Sequence, residues 1–288
     1  MDNAIDLHVH STYSDGTFSP EEIVKLAKEL NLLALSLTDH DCVSGNREME
    51  ELCKAHNISF IPGIELSAQY TSPTMKETEI HILGYYIGDN DNLKSYLDDF
   101  KNTRSHRNQE MVEKLNSEGF SFTYNDLVAY FPDAVLTRAH IARYMYDHEM
   151  IPSLSTAFEK YIGDGCSCYV PRKKLSSKKA IEFIHESGGL AFLAHPTLYK
   201  MNYSEIRTLI SDLSSEYLDG VEGIYSTYKN EEAALIQQYA KEFGLMISGG
   251  SDFHGSNKPY IHLGSGRGNL HVPYKIYESI TTHYKKNI

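Results

Sequence analysis

The sequence predicts an α/β fold, either a barrel or a doubly wound sheet. Short apolar runs recur along the chain, and most are separated by stretches of helical periodicity. The chain has 288 residues and is 41% hydrophobic, enough for one barrel-sized domain or a domain with a smaller companion. Residue types that bind metals stand at the ends of those runs, and a parallel barrel gathers its strand ends on one face.

The first run alternates. Ile5, Leu7 and Val9 share one face, and Asp6, His8 and His10 share the other. A Ser14-Asp15-Gly16 turn follows. Ser19 can cap a helix, Pro20 suits its first position, and Glu21 and Glu22 suit the positive end of its dipole. Ile23, Leu26, Ala27 and Leu30 continue at helical spacing. Residues 32–37 form a nearly continuous apolar strand of the buried parallel kind, ending in Thr38-Asp39-His40. A helix over about 44–56 leads to strands at 60–65 and 79–85. From 91 to about 171 the βα rhythm stops. Met111, Val112 and Leu115 fall on one helical face, and so do Ile141, Ala142 and Met145. This segment is expected to be an inserted helical cap over the barrel mouth, where such folds place substrate selection. Strands resume at 189–196, 220–225 and 245–254, giving about seven in all.

Composition narrows the function. A formal net charge of −12, from 27 basic and 39 acidic residues, argues against duplex nucleic acid or anionic membrane as partner. It leaves room for a small phosphorylated ligand in a local basic pocket. No signal peptide or membrane-length apolar run is visible, and the four cysteines read as reduced thiols of a cytoplasmic protein. The Cys166-Ser167-Cys168 pair lacks a second pair and reads as a plain loop. The 21 tyrosines are scattered and form no spaced platform for single strands. His56, His106, His148, His185 and His283 lie in helical stretches and read as surface residues, while His262 and His271 are left open. "GSGRGNL" at 264–270 lacks the strand–loop–helix context of a phosphate-binding loop. It is expected to be a late loop near the site mouth, with Arg267 undecided.

The chemistry gathers at the strand ends: His8, His10 and Asp15; Asp39 and His40; Glu65; His81; His195; Asp252 and His254. Any one of them alone could be an ordinary hydrogen-bonded residue. About ten together point to metal. With a period of two, His8 and His10 face the same way about 7 Å apart along the strand and can chelate one cation. Imidazole with carboxylate suits Zn, Mn or Fe rather than Ca or Mg alone.

In order, "DLHVHSTYSDG", "LTDHD", "GIELS", "HILGY", "AHP" and "SGGSDFHG" resemble the motifs of the polymerase and histidinol phosphatase (PHP) superfamily of metal-dependent phosphoesterases. The likeness covers residues 5–86 and about 171–285. It implies a distorted (β/α)7 barrel, residues 1–90 and 172–288, with a helical insertion domain at 91–171. It also implies two or three divalent ions (Mn, Zn or Fe). His8, His10, Glu65 and Asp252 would hold the first, and Asp15, His40 and His254 the second. Glu65 would bridge to a third, shared with His81 and His195. Asp39 would be an outer partner or a helix cap. "LTRAHIARYM" at 136–145 and "YVPRKK" at 169–174 resemble the subgroup that removes the 3′ phosphate of nucleoside 3′,5′-bisphosphates or trims short RNA from its 5′ end.

The expected reaction is hydrolysis of a phosphate monoester of a small nucleotide by metal-activated hydroxide, without a protein nucleophile. Arg138, His140 and Arg172 are the expected substrate-binding residues, since a guanidinium can fork onto a second phosphate. Arg107 is a further candidate, while Arg104 and Lys173 read as solvated charges. The rivals are a histidinol-phosphate phosphatase, a non-catalytic metal-binding module, and an amidohydrolase. The last usually carries a carbamylated lysine at a strand end, and no strand here ends in lysine.

Overall fold

The computed structural model describes residues 4–72, 75–88, 90–132, 134–171 and 175–287. Seven strands form one barrel-shaped sheet: β1 (Asp6–Val9), β2 (Ala34–Leu37), β3 (Ser59–Ser72), β4 (Met75–Tyr85), β6 (Leu190–Leu193), β7 (Gly220–Tyr225) and β8 (Met246–Gly250). The two-residue strand β5 (Leu175–Ser176) adds to β3. Neighbours pair in parallel except at β4, which runs antiparallel to both β3 and β6. The sheet nearly closes. Past the end of β8, Asp252 N donates to His8 O at 2.9 Å, and His10 N donates to Phe253 O at 3.0 Å.

The β4 reversal departs from the simple βα rhythm. Among the described residues no helix lies between β3 and β4, and the two pair as one long hairpin from Gly63↔Tyr85 to Ser72↔Met75. One wall of the barrel therefore rises well above the ends of β1 and β2.

Local sequence explains the helices. Helix α1 (Pro20–Glu29) opens on a capping box in which Ser19 accepts from Glu22 N and Glu22 from Ser19 N. Helix α2 (Asn46–Ala55) is pinned to β3 by the Asn46 amide, bonded both ways to the Gly63 backbone. Helices α7 (Ser177–Glu186), α8 (Tyr203–Ser215), α9 (Asn230–Glu242) and α10 (Lys275–Asn287) cover the remaining strands. Asp6, fully buried, closes the β1–β8 seam with its carboxylate. It accepts from Ser251 N at 2.8 Å, from Gly264 N at 2.8 Å and from Ser251 Oγ. The 264–270 loop thus packs on that seam, and Arg267 lies over the exposed Tyr260 ring.

The inserted segment holds α3 (Asp91–Ser117), α4 (Tyr124–Tyr130), α5 (Arg138–Asp147), α6 (Leu154–Ala157) and a π-helical turn, Phe158–Ile162. Met111, Val112, Leu115, Ile141, Ala142 and Met145 share a core separate from the barrel's. The first turns of α3 belong elsewhere, because Leu93, Tyr96 and Leu97 pack with the barrel cluster. Between the two cores, Arg104 reaches the Asp41 carboxylate at 2.5 Å. Arg104 is 5% exposed and Asp41 2%. The expectation of a solvated Arg104 is thereby corrected: the helix turns this charge onto the barrel, where a buried carboxylate meets it. Lys173 lies outside the described residues. Among the described residues, no helix is long and apolar enough to cross a membrane.

Candidate metal centre

All nine residues expected as ligands converge at one end of the barrel. His8 and His10 project inward from β1 and its end, and both are fully buried. Glu65 projects from the middle of β3 into the centre of the group. Its Oε2 lies 3.4 Å from His8 Nε2, 3.2 Å from His10 Nε2 and 3.0 Å from His40 Nδ1. Its Oε1 lies 2.9 Å from both His81 Nδ1 and His195 Nε2. Asp252 Oδ1 faces His8, His10 and His254 at 3.6, 3.4 and 3.3 Å. Asp15 Oδ1 lies 3.2 Å from His254 Nε2 and 3.9 Å from His40 Nε2. His81 arrives by an unforeseen route: it sits within the antiparallel β4, opposite Ser67, rather than at the C-terminal end of a parallel strand.

These side chains sort into four groups, each with donor atoms within 4.8 Å of one another: His10, Asp15, His40 and His254; His8, His10 and Asp252; His8, Glu65 and His195; His40, Glu65 and His81. His8 Nε2, His10 Nε2, Asp15 Oδ1, His40 Nδ1 and Glu65 Oε2 are buried with no hydrogen-bond partner. Leaving such atoms unsatisfied costs about 1–3 kcal/mol each, and more for charged groups. Divalent cations are the natural partners for this donor set, and the residues fit them.

The electrostatics agree. Burial opposes ionisation of Glu65, but His40, His81 and His8 outweigh it and hold its pKa well below the usual range. Asp15 and Asp252 are likewise held low against burial, the first by His40 and His254, the second by Lys258, His254 and His8. Three carboxylates thus stay ionised in a buried space. The backbone is strained at two of the nine positions: His195 has φ 25° and Asp252 φ 60°. Non-glycine residues adopt left-handed conformations at a cost, and such strain clusters at functional sites.

An outer ring fixes these groups. Asp39 accepts from Ser11 N, Ser11 Oγ and Ser14 Oγ, tying down the turn that carries Asp15. Tyr225 Oη and Lys258 Nζ both bond Asp252 Oδ2, at 2.7 and 2.6 Å, which leaves Oδ1 for the cluster. Glu222 was missed at the sequence level. It is fully buried; its Oε1 lies 3.0 Å from His8 Nδ1, and its Oε2 accepts from His195 N at 2.9 Å. A carboxylate at an inward position of a buried strand was the available signal.

A cavity of about 230 Å³ leads from Asp15, His40 and His81 to the inserted helices. Arg104, Arg107 and Arg138 line it. Arg138 bonds Asp164 at 2.8 Å and lies over the Tyr169 ring. His140 does not line this cavity. It is 4% exposed and caps α5, accepting from Thr137 N at 2.9 Å. The structure thus shows His140 as a helix cap beside Ser14 and Asp15, and its expected part in substrate binding stays a proposal. Arg172 lies outside the described residues. His56, His106, His148, His262, His271 and His283 are exposed, and His185, half-buried, bonds Asp219.

With this geometry in place, similarity to known proteins becomes decisive. The model of the PHP domain matches residues 6–287. The chain belongs to the PHP-domain family. A 5′-3′ exoribonuclease of Haemophilus influenzae is 35% identical over 255 residues, 88% of this chain and 91% of that protein. A 3′,5′-nucleoside bisphosphate phosphatase of Chromobacterium violaceum is 30% identical over 252 residues, 87% of each. A solved structure from the same species, described as an amidohydrolase with bound sulfate and no metal, has a TM-score of 0.82 at 28% identity. It covers 97% of this chain and 96% of that one. The named exoribonuclease and bisphosphate phosphatase thus each match most of this chain and most of their own length.

Proposed function

We propose that this PHP protein is a metal-dependent phosphoesterase that hydrolyses a phosphate monoester of a small nucleotide, such as a nucleoside 3′,5′-bisphosphate. The observation that carries the proposal is the set of buried donor atoms without partners, drawn from β1, β2 and β3 or the segments that follow them, beside an arginine-lined cavity. His8, His10, Glu65 and Asp252 would hold one cation and Asp15, His40 and His254 a second. Glu65 would bridge to a third with His81 and His195. Divalent cations held there supply an activated water at neutral pH and neutralise charge on the phosphoryl oxygens.

The chain's own residues do the rest. Glu222 and the Tyr225–Lys258 pair orient His8 and Asp252. Arg107 and Arg138 offer guanidinium groups for a second phosphate, the feature that separates a bisphosphate from a simple monoester. The inserted segment 91–171 is the recognition domain in this reading, and Mn, Zn and Fe all suit the donors.

The amidohydrolase alternative finds less support. Among the described residues, the lysine at the cluster is Lys258, and it is engaged with Asp252. The test is phosphate release by Mn-loaded protein from adenosine 3′,5′-bisphosphate, AMP, histidinol phosphate and a short 5′-phosphorylated RNA. Preference for the bisphosphate or the RNA, reduced in Arg138→Ala through a higher KM, supports the reading. Preference for histidinol phosphate, or an unaltered KM in Arg138→Ala, refutes the two-anion account.

A further inference from the structure

We infer that Phe158 and Tyr169 form a nucleobase-stacking site in the wall of the catalytic cavity. The inference rests on the nucleotide reading above and deepens it.

The cavity lined by Asp15, His40 and His81 is also lined by Phe158, Tyr169 and Arg138. Phe158 is 38% exposed, whereas its neighbours Ala157 and Ile162 are fully buried in the core of the inserted segment. A single exposed Phe on a protein surface needs no explanation. This one differs in three ways. It opens the π-helical turn Phe158–Ile162, a rare geometry that is frequent at functional sites. That turn is tightly closed, since any Cβ at Gly163 would collide with the Phe158 carbonyl oxygen. A second aromatic ring shares the cavity, brought there from the loop that follows the turn.

That second ring, Tyr169, is half-buried and carries the Arg138 guanidinium 5.4 Å from its centroid, within cation–π range. Arg138 is in turn bound to the same loop through Asp164 at 2.8 Å and the Ile162 carbonyl at 3.4 Å. One cavity therefore offers a metal-type donor cluster, a cation and two aromatic rings. A ligand matching all three has a phosphate, further negative charge and a flat aromatic group. A nucleobase on a phosphorylated sugar has that chemistry, and stacking tolerates any base because every base has a π-face.

The chain contains no tryptophan, so Phe158→Trp would place a single indole emitter at the proposed site. Metal-loaded Phe158→Trp is titrated with AMP and with an abasic sugar, 1,2-dideoxyribose 5-phosphate. Quenching by AMP and not by the abasic phosphate is expected. In parallel, kcat/KM is measured for wild type and Phe158→Leu on adenosine 3′,5′-bisphosphate and its abasic counterpart. The preference for the base-bearing substrate should fall about tenfold in the variant, mostly through KM. Equal quenching by the two ligands, no quenching, or an unchanged preference overturns the stacking site. Phosphate release from the bisphosphate without any quenching keeps the phosphoesterase reading and removes this inference. Quenching by AMP without release from either substrate keeps the stacking site and removes the proposed reaction.

Discussion

Replacing His140 by glutamine should flatten the acid side of this protein's stability curve. His140 is 4% exposed, and its Nδ1 accepts from Thr137 N at 2.9 Å. Burial is the largest influence and lowers its pKa, against smaller opposing effects of Asp15 and the Ser14 backbone, so that it falls from 6.5 to about 4. Between those two values the unfolded chain takes up a proton that the folded chain refuses. Stability is therefore fully present above about pH 6.5 and is lost as the pH falls towards 4. A separation of about 2.5 pH units corresponds to about 3 kcal/mol in full, and to about 2 kcal/mol by pH 5. Glutamine has no such proton and can still close the capping box at this position. The assay is urea unfolding of wild type and His140→Gln at pH 7.5 and pH 5.0, with chelator throughout. The cluster histidines titrate in both proteins and cancel in the difference. Wild type should lose about 2 kcal/mol more than the variant. Equal losses would refute the claim that His140 is held neutral by burial.

Three further perturbations follow from the geometry. Arg104→Met removes the buried partner of Asp41; breaking such a pair costs about 3–5 kcal/mol, and the bonds from Ser67 N and Oγ to Asp41 place this case at the low end. Denaturant midpoints check it, and Arg104→Met with Asp41→Asn should recover part of the loss. Glu222→Gln leaves His8 Nδ1 without its carboxylate, so metal affinity measured by calorimetry should fall about 10- to 100-fold with the fold intact. Gly250→Ala would push a Cβ into the His8 backbone and Cβ, so a lower Tm and reduced metal content are expected together.

Much of the metal site was readable because it is written in local periodicity. His8 and His10 share a face through the two-residue repeat of a strand, and the Ser19–Glu22 capping box marks the start of α1 without any tertiary information. The β3–β4 hairpin was less visible. Its register depends on pairing across the turn, and its apolar runs look the same in a parallel strand. Arg104 misled for a different reason. A charged residue in a helix reads as solvated until its partner is known, and Asp41 is 63 residues away, with a left-handed backbone (φ 51°). Glu222 meets His8 across 214 residues, a contact only the closed barrel creates. His140 lies three residues after the α5 N-cap, where an acceptor side chain caps, and the resemblance to substrate-binding segments masked that simpler role.

The central claim is that nine side chains hold a cluster of divalent cations. Its most direct test is metal content per chain after reconstitution with Mn or Zn and exhaustive dialysis, measured by mass spectrometry on wild type and Glu65→Gln. Glu65 touches five histidines of the cluster. The account predicts two or three ions in wild type, and at least one fewer in Glu65→Gln with parallel loss of phosphate release. A folded wild-type protein that retains no ion, or a Glu65→Gln variant that retains the full complement, would contradict it.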